Sequence, residues 1–149
     1  MASIKLYTIG FTKKSAKRFF TLLQENGVQR LVDVRLHPGG QLAGFAKQDD
    51  LEYFLAQLAG CDYRHLDILP PSQELLSDYR KDHSWESYVR RFEELMDLRE
   101  VPQSLDRGLF EEKTCCLMCS EATPEMCHRR LVAERLALHW TGTEVVHLI

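Results

Sequence analysis

The segment Cys119-Ser120-Glu121-Ala122-Thr123-Pro124-Glu125-Met126-Cys127-His128-Arg129 crowds two thiols, carboxylates, an imidazole and a guanidinium into one short stretch. Cys119 and Cys127 are candidate nucleophiles, Glu121 and His128 candidate acid-base groups, and Arg129 a planar donor suited to phosphate or carboxylate. Thr123 reads as a helix N-cap with Pro124 at the first helical position, which sets Cys127 and His128 in the first helical turns. There the unpaired N–H groups and the positive end of the helix dipole favour anions and lower a thiol pKa. A protonated His128, or Arg129, lowers it further, while Glu121 and Glu125 act against it. A thiol nucleophile also needs a base. Adjacent helical residues point about 100° apart, so His128 is poorly aimed at Cys127, and His65 or His37 suits that role better.

These side chains require a scaffold, and the flanking sequence supplies one. Thr114 to Cys119 is a short apolar run that reads as a buried strand, and the helix after the turn continues to about Trp140. At the other end of the chain, Ile4 to Ile9 is a strand ending at Gly10. Thr12 or Ser15 then caps a helix with Ala16, Phe19, Phe20, Leu22 and Leu23 on one face, closed by Asn26-Gly27. Leu31 to Arg35 is the next strand, and residues 37–45 form a Pro- and Gly-rich loop. Asp49, with Glu52 three residues on, starts a helix whose Leu51, Phe54, Leu55 and Leu58 face inward before Gly60 ends it. Tyr63 to Leu69 reads as an edge strand. Ser72 caps a helix to about Arg80, and from Ser84 onward Trp85, Tyr88, Val89, Phe92, Leu95 and Met96 repeat at helical spacing. Val101 to Lys113 is irregular, and Glu144 to Ile149 is the last strand.

Alternating strands and helices predict an α/β fold, a mostly parallel sheet with helices on both faces, as a compact three-layer domain over residues 1–149. In such sheets ligands bind outside the carboxyl ends of the strands. The rule draws Thr12, Arg35 and His65 toward the Cys119 turn as candidate anion-binding residues. Along the last helix, His128, Arg135 and His139 share a stripe. Either they pair with acidic residues of the helix after Ser84, or they form one wall of a cleft or a protomer contact.

Composition narrows the classes. In 149 residues, 44% are hydrophobic and 28% charged, and 19 Lys plus Arg against 22 Asp plus Glu give a net charge of −3. No global positive field points to nucleic acid or an anionic membrane, so phosphate binding has to be local. The N-terminal residues lack a signal-peptide pattern and no run approaches the ~18 apolar residues of a membrane span. The expectation is a cytoplasmic protein with reduced thiols, since the Cys count of 5 is odd and the residues cluster. Oligomeric state is not legible.

Structural roles compete with the chemical ones. Cys115 and Cys116 suit a buried strand as small hydrophobes, Cys119 stands at its end, and Cys127 can equally pack inward, with His128 on a carbonyl and Arg129 bonding Asp33 or Glu121. Asp33, amid apolar neighbours, either caps a helix, holds an arginine or serves as a base at the strand mouth. Cys116-x-x-Cys119 with Cys127-His128 is a Cys₃His set on paper. Along a strand, however, residues three apart face opposite sides, which argues against zinc and against a Cys-x-x-Cys dithiol. No metal and no cofactor is expected. Gly-x-Gly-x-x-Gly, Walker and Gly-x-Ser-x-Gly loops are missing, and Glu125 stands where a tyrosine-phosphatase loop needs Arg.

Thr8-Ile9-Gly10-Phe11-Thr12, Val32-Asp33-Val34-Arg35, Tyr63-Arg64-His65-Leu66 and the Cys119 to Arg129 block together resemble the family catalogued as domain of unknown function 488. The likeness runs over nearly the whole chain, with Cys-x-Glu and Pro-x-x-Cys-His-Arg its specific part. Many members carry His and Ser where this chain has Phe11 and Thr12, and a Gly pair in place of Pro70-Pro71. The resemblance implies a fold and a site position, and no reaction. The residues themselves leave two readings open: an enzyme acting on a small phosphorylated or nucleotide-like substrate, or a non-enzymatic nucleic-acid or protein binding module in which the motif is structural.

Overall fold

The computed structural model describes residues 3–121 and 123–149, the side chains of residues 41–43 apart. Five strands form one wholly parallel sheet: β1 (Ile4–Gly10), β2 (Arg30–Asp33), β3 (Asp62–His65), β4 (Cys115–Cys119) and β5 (Thr143–Leu148), in the order β3-β2-β4-β1-β5. Between them run α1 (Ala16–Glu25), α2 (Gln48–Phe54, continued by a π turn over Leu55–Ala59), α3 (Gln73–Asp82), α4 (Trp85–Leu98), the short α5 (Gly108–Glu111) and α6 (His128–His139). The α/β class expected from the sequence is the class observed.

Strand order explains which helix covers which face. The steps from β1 to β2 and from β2 to β3 lead toward the β3 edge, whereas those from β3 to β4 and β4 to β5 lead back. With right-handed crossovers, opposite directions of travel put the connections on opposite faces. Accordingly Tyr7, Ile9, Leu31, Cys116 and Met118 pack against Phe19, Leu23, Leu51 and Leu55 of α1 and α2. On the other face Leu6, Val32, Val34, Leu117 and Cys119 meet Leu75, Phe92, Met96, Leu131 and Val132 of α3, α4 and α6. Cys116 and Cys119 belong to opposite faces, as a strand's period of two requires. Cys115 and Cys116 are fully buried core residues.

Several ends follow local chemistry. Ser15, Ser72 and Ser84 cap α1, α3 and α4, each accepting the backbone N–H three residues on. Asn26 closes α1 ahead of Gly27 at φ 66°, and Gly60, at φ 58°, ends the π turn after α2. Other expectations are corrected. Lys47, not Asp49, precedes α2, and Leu58 is exposed because the π turn shifts the face it presents. β3 stops at His65: the Leu66 N–H still bonds the Asp33 carbonyl, but the Leu69 N–H then turns back onto the Leu66 carbonyl and the chain leaves the edge. Of the stripe on α6, Arg135 takes the structural option, binding Glu93, Asp97 and the Val101 carbonyl, whereas His128 lines the cleft.

Candidate active site

β2 and β4 are neighbours whose outgoing connections diverge, one toward β3 and the other toward β5. Such a divergence opens a crevice at the strand carboxyl ends. A cleft of about 320 Å³ lies there, floored by Cys119, Ser120, Glu121, Cys127 and His128, flanked by Arg35 and His37, and walled by Tyr79, Arg80, Trp85 and Tyr88 of α3 and α4.

The turn from β4 to α6 differs from the expected form. Thr123 and Pro124 do not begin the helix; Cys127 is its N-cap, at φ −134° and ψ 138°, and its Sγ accepts the Arg129 N–H at 3.4 Å. The reason lies in Arg130, whose Nε and Nη2 donate to the carbonyls of Pro124 and Glu125 at 3.1 and 2.8 Å. A helix starting at Pro124 needs those carbonyls for its own N–H groups. The bends and turn of residues 123–126 instead carry Cys127 back over the end of β4. The sulfurs of Cys119 and Cys127 meet there, with Cα atoms 7.8 Å apart. The two sulfurs are in bonding contact, and the Cα spacing exceeds the ~4.4–6.8 Å usual for a disulfide.

Beneath the sulfurs lies Arg129, 0% exposed. Its Nη1 donates to the Glu121 carbonyl at 2.5 Å and lies 3.2 Å from Cys119 Sγ and 3.9 Å from Cys127 Sγ, while Nε donates to Thr8 Oγ1 at 3.2 Å. Thr8 passes the chain on, its hydroxyl hydrogen-bonded with His147 Nδ1 at 2.6 Å. Gly10 makes the arrangement possible: a Cβ there would stand 1.5 Å from the Glu121 carbonyl oxygen and 2.8 Å from Arg129 Nη1. No carboxylate is among Arg129's hydrogen-bond partners in the described residues, and burial lowers its pKa. The expected bond to Asp33 is not made, and the expected partnership with Glu121 is with its backbone. Arg129 is therefore not a cleft-lining grip for a substrate anion.

Arg35 is differently placed. Its Nε and Nη2 bind both Asp33 carboxylate oxygens at 2.9 and 2.7 Å, and Tyr63 donates to the same carboxylate at 2.6 Å. Asp33 thus holds an arginine, one of the roles its mid-strand position suggested. Nη1 is engaged in neither bond, and Arg35 borders the cleft.

His128 is held neutral, its pKa pushed down to about 4 by burial and by the nearby Arg129, against the Val34 hydrogen bond that raises it. Nε2 donates to the Val34 carbonyl at 2.6 Å. The imidazolium expected to activate a thiol is absent. His65 does not line the cleft; it donates to the Arg35 carbonyl at 2.8 Å and so orients the β2 end. Thr12 is exposed outside the cleft, bonded through its N–H to the Ser120 carbonyl. His37 borders the cleft and bonds Gln73. Glu121 is exposed at its mouth.

The remaining thiols form a contrast. Burial raises the pKa of Cys61 to about 12, that of Cys115 to about 11, and that of Cys116 well above the usual thiol value. Among the described residues no group of three or more His, Cys, Asp or Glu is placed to hold a metal ion. The cleft walls were not legible in the sequence, because Trp85 and Tyr88 read as core positions of an amphipathic helix and Tyr79 carried no assignment. Their signal was the polar tip that each ring carries. Trp85 and Tyr88 are stacked with centroids 5.0 Å apart, and Arg130 covers Trp85 at 5.9 Å.

Sheet order and site together define a parallel α/β protein with a cysteine-floored cleft at the β2/β4 strand ends. Residues 15–136 match the family described as domain of unknown function DUF488, and the chain belongs to that family. No curated protein and no solved structure gives a match.

Proposed function

We infer that this protein is a thiol-dependent enzyme acting on a small anionic substrate, phosphorylated or nucleotide-like, in the cleft beside Arg35. One observation carries the reading: a wholly buried guanidinium, Arg129, without a carboxylate among its partners, lies 3.2 Å from Cys119 Sγ. Arginine keeps its proton in proteins, and a buried charge requires a counter-charge. Glu121 and Glu125 act on Arg129 only through space, and the sulfur pair is the contacting group able to supply one, as a single thiolate shared between Cys119 and Cys127. Cys119, at the strand end, is the nucleophile. Glu121 at the cleft mouth exchanges the proton, and the free edge of Arg35, with Arg80, meets the substrate's negative charge. The chemistry needs a reducing compartment, which agrees with a cytoplasmic location, and no helix among the described residues is long and apolar enough to cross a membrane.

Iodoacetamide alkylation of the reduced protein across pH tests this. The reading expects a Cys119 or Cys127 rate that persists below the ordinary thiol pKa of ~8.5; a normal thiol profile at both overturns it. Thermal-shift measurements against phosphorylated sugars and nucleotides then define the substrate class. A shift produced by short DNA or RNA alone, and weakened by salt, identifies the binding module instead.

A further inference from the structure

We propose that Cys119 and Cys127 form a reversible dithiol centre oxidised by a hydroperoxide, and that this oxidation removes the nucleophile from the cleft. The two residues come from different elements, the end of β4 and the N-cap of α6, and their sulfurs meet on the cleft floor. They are 1% and 2% exposed, so an oxidant reaches them through the cleft whose floor they form. Arg129 reaches both sulfurs through Nη1, and its backbone N–H reaches Cys127. A donor so placed favours the thiolate and also the oxygen that leaves it. Cys115 and Cys116 are sealed in the sheet, and Cys61 lies at the opposite end of the strands, beside the start of β3.

The chemistry balances in two steps. The Cys119 thiolate attacks the peroxide: an S–O bond forms, the O–O bond breaks, and the departing alkoxide or hydroxide takes up a proton. Cys119 is now a sulfenic acid. The Cys127 sulfur then attacks the Cys119 sulfur, the S–O bond breaks, and hydroxide leaves as water with the Cys127 proton. In total two thiols and one hydroperoxide give one disulfide, one alcohol or water, and one water. A low-molecular-weight thiol reverses it by exchange. Closing the bond draws the turn toward β4 and leaves Arg129 without its counter-charge, so the reduced form is the resting state.

The first step rests on the thiolate reading above, and the experiment separates the two. Reduced protein is treated with hydrogen peroxide, then mapped by mass spectrometry and titrated for free thiols. The expected result is loss of two of the 5 thiols, a Cys119–Cys127 crosslink restored by dithiothreitol, and a rate on the order of tenfold above that at Cys61. Cys127→Ser stops at a sulfenic acid on Cys119, trapped by dimedone. Oxidation no faster than at Cys61, or a crosslink elsewhere, overturns the proposal. Acid-shifted alkylation without any crosslink overturns it too, while leaving the thiolate reading standing.

Discussion

Replacing Gly10 by Ala tests whether the site depends on the close passage of the β4–α6 turn over the end of β1. The usual effect of Gly→Ala at a compatible position is a gain of about 0.4–1 kcal/mol, from a less disordered unfolded chain. Gly10 reverses the sign. Its missing Cβ would meet the Glu121 carbonyl oxygen at 1.5 Å and the carbonyl carbon at 2.5 Å, both backbone atoms. Ordinary contact begins at 3.4 Å, so the turn has to retreat by 3.4 − 1.5 = 1.9 Å. Such a shift breaks the Arg129–Glu121 bond of 2.5 Å and the Thr12–Ser120 bond of 3.1 Å. Overpacking costs about 1–3 kcal/mol, and a hydrogen bond to a charged group about 1.5–3. A loss near 4 kcal/mol follows, which at 2–4 °C per kcal/mol lowers Tm by roughly 8–16 °C. Urea denaturation measures it, with Gly39→Ala as control, since a Cβ there has nothing within 4 Å. A Gly10→Ala protein within about 0.5 kcal/mol of the parent, with unchanged alkylation of Cys119, refutes the reasoning.

Two other perturbations have defined signs. Asp33→Asn leaves the buried Arg35 guanidinium without its carboxylate and costs about 3–5 kcal/mol, while Asp33→Asn combined with Arg35→Met recovers most of it; additive urea midpoints contradict the pairing. His128 has a folded pKa of about 4 against an ordinary 6.5, so the unfolded chain takes up the proton first. Its stabilisation is complete above about pH 6.5 and is lost as pH falls toward about 4, amounting to at most about 3 kcal/mol. Urea melts near pH 7 and pH 5 show the decline, and His128→Gln removes its share; an equal decline in the variant assigns the effect to other groups.

What was legible in the sequence was whatever depends on local periodicity. The alternation in Cys115 to Cys119 separated Cys116 from Cys119 and argued against a Cys-x-x-Cys pair, and the two lie on opposite faces of the sheet. Ser72 was readable as a cap, and Ser15 as one of two candidates, because the capping bond spans three residues. The meeting of Cys119 with Cys127 was not readable, because Arg130 holds the carbonyls of Pro124 and Glu125 and so delays α6. That competition is between a side chain and the helix's own backbone, and Thr123-Pro124 carries no trace of it. Arg129 was visible as a candidate, but its pairing with Thr8 was hidden for a related reason: both sit on core-facing positions where an apolar residue is the default, and the bond between them joins residues 121 positions apart.

The two arginines of the site show how charge was distributed by topology. Arg35 lies just beyond β2, and Asp33, two residues back in the same strand, neutralises it over two hydrogen bonds. Arg129 comes from α6, on the other face, where β4 offers Cys119 and β1 offers Thr8 and Gly10. Neither β1 nor β4 contains a carboxylate. Among the described residues the carboxylates of Glu121 and Glu125 act on it only through space, without a hydrogen bond, and the ionisable groups in contact with it there are the two sulfurs. An Arg129→Met protein has no such charge to balance, and it should therefore retain its fold while the alkylation profiles of Cys119 and Cys127 return to those of ordinary thiols. Retention of a low pKa in that variant would mean that the N-cap position alone activates Cys127, and the guanidinium would lose the role given to it.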